Sequence, residues 1–101
     1  MIKALVSLGL TRLEAEVYVY IGKKGPQTVM DLDKALNYNK QKIYTSLKNL
    51  QTKGLVTKDR TIFSTLPFEE ALDLLIKMEK QQAQAMHESK EELLATWETK
   101  D

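Results

Sequence analysis

The stretch TVMDLDKALNYNKQKIYTSLKNLQTKG, Thr28 to Gly54, decides the fold. Thr28 followed by Asp31 has the spacing of a helix cap, and Val29, Leu32 and Leu36 then put one apolar stripe on a helix of about two turns. A helix that short does not stand alone in water. Asn37-Tyr38-Asn39 reads as a tight connector, and Asn39 is a good N-cap for a second helix running from Lys40 to Lys53 and closed by Gly54. Ile43, Leu47 and Leu50 give this helix its own buried stripe. Two helices joined by a turn of about three residues form a helix-turn-helix.

Upstream, Thr11 and Glu14 have capping-box spacing, so a helix is expected to start there. Its apolar positions are Leu13, Val17, Tyr20 and Ile21, and Gly25-Pro26 stops it. Ile2 to Leu8 is expected to add a short first helix on the same core. Downstream, Leu55 to Lys58 and Thr61 to Thr65 are β-prone runs separated by Asp59 and Arg60, which predicts a hairpin. Pro67 suits the first turn of a last helix, and nothing from Phe68 to Trp97 breaks it. The expected architecture is mainly α, a winged helix-turn-helix of three core helices and a short β-hairpin wing (residues 1–66). A long C-terminal coiled-coil helix (67–101) belongs to the same structural unit.

The bulk composition narrows the function. A chain of 101 residues, 43% hydrophobic and 29% charged, fits one globular domain. No apolar run approaches the length of a membrane span and the start lacks a signal peptide's pattern, so the expected compartment is the cytoplasm, in association with the nucleoid. The absence of cysteine removes disulfides, thiolate metal sites and cysteine nucleophiles. The one histidine, His87, lies in a polar helical stretch and is read as a solvated surface residue. With no nucleophile–base pair, metal cluster or phosphate loop visible, neither an enzyme, a cofactor nor a metal is expected. The net charge of +1 hides an asymmetry: Met1 to Leu66 carries eleven cations against five acids, net +6, and the remainder four against nine, net −5. A basic body with an acidic tail suggests that only one part faces a polyanion.

The second helix of the helix-turn-helix carries the candidate contacts. Stepping by 100° from its apolar stripe puts Gln41, Tyr44, Thr45, Lys48, Asn49 and Thr52 on or near the outer face, with Asn39, Lys40 and Lys42 flanking. Glutamine, asparagine and lysine donate to base edges, while threonine and tyrosine reach phosphates or a thymine methyl. From Asn37 to Lys58 there is no aspartate or glutamate, whereas a merely solvated helix usually mixes both signs. Lys58 and Arg60 at the hairpin turn are the expected wing contacts.

In the last helix Leu72, Ile76, Glu79, Ala83, Met86, Lys90, Leu93 and Trp97 follow alternating steps of four and three, the spacing of a coiled-coil seam. A second copy of the chain is the simplest partner. Centred antiparallel pairing sets Glu79 against Lys90, while parallel pairing opposes like charges, so an antiparallel homodimer is expected. The alternative is a helix folded back on its own domain through Leu72, Leu75 and Ile76.

Together these residues resemble the DNA-binding domain of the TrmB-like transcriptional regulators, a family best known in archaea. The resemblance lies in Leu8-Gly9-Leu10-Thr11 with Glu14-Ala15 and Val17-Tyr18, in Lys42-Ile43-Tyr44 through Leu47 and Leu50 to Lys53-Gly54-Leu55-Val56, and in Pro67 with Glu70-Ala71-Leu72. It covers roughly Leu5 to Ile76. It implies a winged-helix dimer that places the helix from Lys40 in the major groove of double-stranded DNA. Asn39 stands where serine is common, and the hairpin is shorter than usual in the family. Larger members carry a sugar-binding effector domain, which these residues do not reach, so ligand sensing is not carried over and no small-molecule effector domain is expected. The leading expectation is a sequence-specific transcription regulator. The alternatives are an architectural, low-specificity DNA binder and a winged-helix protein-interaction module.

Overall fold

In the computed structural model, which describes residues 1–99, five helices and one hairpin follow the expected order: α1 (Ile2–Ser7), α2 (Arg12–Lys24), α3 (Val29–Leu36), α4 (Lys40–Thr52), β1 (Val56–Asp59), β2 (Ile62–Thr65) and α5 (Phe68–Thr99). Each core helix starts at a cap. Thr11 Oγ1 accepts the Glu14 amide at 3.1 Å while the Glu14 carboxylate accepts the Thr11 amide, closing a capping box. Thr28 and Asp31 close a second box at α3, and Asn39 Oδ1 accepts the Lys42 amide at 2.9 Å at α4. The connector turns because Asn37 takes the left-handed conformation, φ 58°, which a short polar side chain tolerates.

The core fills the space between these elements. Leu5, Val17, Ile21, Leu32, Ile43, Leu47, Leu50, Leu55, Phe63 and Leu75 are among its buried side chains. The predicted stripe of α4 is buried as expected, joined by Ser46. On α2 the buried arc is rotated from the expected one: Glu14, Ala15, Val17, Tyr18 and Ile21 are buried, whereas Leu13 and Tyr20 are only half-buried. Tyr18 enters the core because its hydroxyl donates to the Leu66 carbonyl at 2.8 Å, so the buried polar atom is satisfied.

The hairpin differs from the expected one by a residue. Lys58 pairs with Phe63 and Asp59 with Ile62, so the two-residue turn is Arg60-Thr61 rather than Asp59-Arg60. Phe63 shares the face of Val56 and is buried in the core, and the turn holds φ 60° at Arg60, a backbone region that glycine prefers. A third paired segment, not expected from side-chain patterning, completes the wing. Gln27, between α2 and α3, exchanges two backbone hydrogen bonds with Phe63, at 3.0 and 2.8 Å, and anchors the wing to the helical core.

Pro67 precedes α5, its carbonyl accepting the Ala71 amide at 2.9 Å. The first three turns of α5 pack on the body. Ala71 and Leu75 are buried, Leu72, Leu74 and Met78 are half-buried, and Ile76, expected to help in any fold-back, is exposed. Backbone conformation requires glycine at Gly9 (φ 105°) and Gly54 (φ 81°), where a Cβ would make only ordinary contact, 3.5 Å from Glu79 Oε2 and 3.4 Å from Leu74 Cδ2. All residues from Glu79 to Glu98 are exposed. This projecting segment explains a radius of gyration of 17.2 Å and a long axis of 57 Å, against about 13 Å for the radius of a compact domain of this length. Lys100 and Asp101, the end of the expected acidic tail, lie outside the described residues. No helix among the described residues is long and apolar enough to cross a membrane.

Candidate nucleic-acid interface

Because Ile43, Ser46, Leu47 and Leu50 face the core, α4 turns Lys40, Gln41, Lys42, Tyr44, Thr45 and Lys48 outward, and all six are exposed. Lys40, Tyr44 and Lys48 follow one another at i, i+4 and i+8 along one line, with Gln41, Thr45 and Asn49 beside it. Asn39 is also exposed, but its carbonyl oxygen is engaged by the Lys42 amide, which leaves its NH2 group as the outward donor. Tyr44 is 47% exposed and borders an open crease of about 380 Å3 between α4, the start of α3 and the wing, lined also by Val29, Met30, Lys58, Thr61 and Phe63. Met30 and Thr61 were not singled out from the sequence, because their proximity to Tyr44 depends on the wing register.

At the wing, Lys58 and Arg60 are both exposed. The Lys58 ammonium lies 5.6 Å from the centre of the Phe63 ring, within cation–π range, so its position is partly fixed by the strand pair. Arg60 stands at the tip itself.

Asn49 departs most from expectation. Its Nδ2 donates to Glu14 Oε2 at 3.1 Å, while Lys53 Nζ donates to Glu14 Oε1 at 3.0 Å. Asn49 stays exposed but spends a hydrogen bond of its NH2 group on α2, and the last lysine of the helix is paired. Glu14 is only 3% exposed. Burial acts to raise its carboxyl pKa, but the hydrogen bonds from Lys53, the Thr11 amide and Asn49, with the Lys53 charge, outweigh burial and hold it below its ordinary range. A signal for this was present: Glu14, Val17, Tyr18 and Ile21 follow i, i+3, i+4, i+7, which places an acid on a core face and demands a partner.

A second tie joins the connector to α2. Tyr38 is half-buried beside Glu16, whose carboxylate, itself paired with Arg12 at 3.2 Å, raises the phenol's pKa by hydrogen bonding and by its charge. The far end of the helix-turn-helix is thus fastened to α2 by Glu14, while Tyr38 lies beside Glu16 at its turn. On α5, His87 faces Glu91 at 3.2 Å, both largely exposed, as a surface pair.

A three-helix core containing a helix-turn-helix, backed by a hairpin that pairs with the α2–α3 segment, defines the chain as a winged helix-turn-helix protein. Residues 5–69 match the family described as "Sugar-specific transcriptional regulator TrmB". The chain belongs to this family of transcriptional regulators. Its fold is similar to that of the transcriptional regulator Tm0710 from Thermotoga maritima, with a TM-score of 0.58 at 21% sequence identity, over 95% of this chain and 77% of that one. A search of curated proteins finds no match.

Proposed function

We propose that the chain binds double-stranded DNA as a homodimeric transcription regulator, with α4 entering the major groove from its Lys40 end. The observation that carries this reading is the outward face of α4: exposed Lys40, Gln41, Lys42, Tyr44, Thr45 and Lys48 on a helix whose other face is locked into the core. Lysines attract the phosphates and Gln41 has the donor and acceptor pair that matches adenine, while the aromatic and methyl groups suit thymine. Arg60 and Lys58 supply wing contacts to the backbone or minor groove.

Dimerisation is assigned to the projecting part of α5. Met86, Leu93 and Trp97 on the proposed seam are 65%, 69% and 73% exposed, and Leu94 beside them is 51% exposed. Apolar side chains in such a row favour burial against another helix. In an antiparallel pair Glu79 meets Lys90 of the second copy, Leu72 meets Trp97, Ile76 meets Leu93 and Ala83 meets Met86. Glu79 sits where α5 leaves the body at Gly9, so the partner helix would run past that junction, from Lys90 opposite Glu79 to Trp97 opposite Leu72.

Fluorescence anisotropy of the full chain on genome-selected and random duplexes, across salt and beside Lys48→Ala, tests the DNA reading. Binding whose logarithm falls with log salt by about 0.9 per phosphate neutralised, and which Lys48→Ala weakens, supports it. Equal affinity for all duplexes would favour an architectural role, and no binding at low salt would leave the interaction module.

A further inference from the structure

We propose that Glu14 is a positioning residue for the DNA-reading helix, drawing Asn49 and Lys53 onto one buried carboxylate and so fixing the rotation in which α4 presents its exposed face to DNA. The inference rests on the DNA-binding reading of α4 and adds to it a residue on another helix that sets how α4 is presented.

The geometry is specific. Asn49 and Lys53 are four residues apart on α4 and so lie on one line along the helix axis, and each meets a different oxygen of Glu14, at 3.1 and 3.0 Å. Two anchors on one line fix the rotation of a helix about its axis, which apolar packing alone restrains less sharply because it has no direction. The carboxylate is fixed in turn by the Thr11 amide at the start of α2. Rotation of α4 decides which side chains reach base edges, so the clamp acts on the ratio of selected to random binding more than on attraction to phosphates. The lysine taken into the clamp is the one at the C-terminal end of α4, half-buried, while Lys40, Lys42 and Lys48 remain exposed.

The test measures salt slopes and affinity ratios, by anisotropy on selected and random duplexes, for the full-length chain and its Glu14→Gln, Asn49→Ala, Lys53→Met and Lys48→Met variants. Circular dichroism at the assay temperature identifies the folded variants. Lys48→Met is expected to flatten the salt slope by about 0.9 per subunit, whereas Lys53→Met leaves the slope unchanged. Glu14→Gln and Lys53→Met are each expected to lower the selected-to-random ratio about tenfold. Should Glu14→Gln fail to fold, Asn49→Ala, which leaves the Glu14–Lys53 pair in place, carries the test through a smaller fall in the same ratio. A slope flattened by Lys53→Met, as by Lys48→Met, overturns the inference, because Lys53 would then be a phosphate contact. Ratios unchanged in the folded variants overturn it as well. A parent chain that binds no duplex refutes the DNA reading itself, whereas failure of the clamp alone leaves parent binding and the Lys48 effect intact.

Discussion

Replacing Arg60 by glycine is expected to make the protein more stable and a poorer DNA binder. Arg60 holds φ at 60° in a two-residue hairpin turn, where an L side chain meets the following carbonyl. That conformation costs about 1–2 kcal/mol in a residue with a Cβ. Glycine removes the clash but loosens the unfolded chain, which returns about 0.4–1 kcal/mol, so the net gain is about 0.5–1 kcal/mol. For a chain of this size the midpoint of thermal unfolding rises by about 2–8 °C. The same change deletes the cation at the wing tip, and if Arg60 meets a phosphate the salt slope falls by about 0.9 per subunit. Arg60→Ala separates the two effects: it retains the strained backbone, so it gains no stability, yet it binds DNA as weakly as the glycine variant. Thermal melts followed by circular dichroism and duplex titrations over salt measure both sides. A lower midpoint for Arg60→Gly refutes the strain argument, and undiminished DNA affinity removes Arg60 from the interface.

Three further outcomes follow from the packing. Glu14→Ala leaves Lys53 half-buried without its partner and is expected to destabilise the chain by about 3 kcal/mol in urea titration, well above the ~1 kcal/mol expected for loss of the α3 cap in Thr28→Ala. Because the Glu14 carboxyl sits below its ordinary value of 4.5 in the folded chain, its stabilisation is full above that pH and is lost as pH falls through the folded-state value; Glu14→Gln should remove that part of the acid dependence in melts taken from pH 6 downward. Lys90→Glu should weaken self-association in sedimentation equilibrium and a further Glu79→Lys should restore it, whereas an unaffected single variant rules out the antiparallel register.

The local grammar of the chain was readable because caps and stops act within a few residues. Thr11, Thr28 and Asn39 each cap the helix assigned to them, and Gly25 and Gly54 take positive φ after helices α2 and α4. The stripe of α4 was legible for a related reason, since that helix is buried along one face only. The face of α2 was not, because α1, α4 and the wing surround it and bury Tyr18, whose hydroxyl the Leu66 carbonyl satisfies, in place of the Tyr20 that the stripe included. The Gln27–Phe63 bridge joins residues far apart in sequence through backbone atoms, which leave no mark on side-chain patterning. The one-residue shift of the hairpin turn was not legible either, because both registers put Phe63 on the face of Val56, so side-chain alternation does not choose between them. At the candidate interface, exposure of the lysine-rich face followed from the pattern, but the hydrogen bond from Asn49 to Glu14 did not. It depends on Glu14, 35 residues earlier, meeting the side chain across the α2–α4 packing.

The central claim, that α4 reads the major groove, is met most directly by methylation interference on a genome-selected site. Methyl groups on guanine N7 obstruct the major groove and leave the minor groove open. The account predicts two clusters of interfering guanines on a pseudo-palindromic site, about one helical turn apart or a multiple of it, one for each subunit's α4. Binding that tolerates N7 methylation throughout the site would contradict it and would move recognition from α4 to the wing and the backbone.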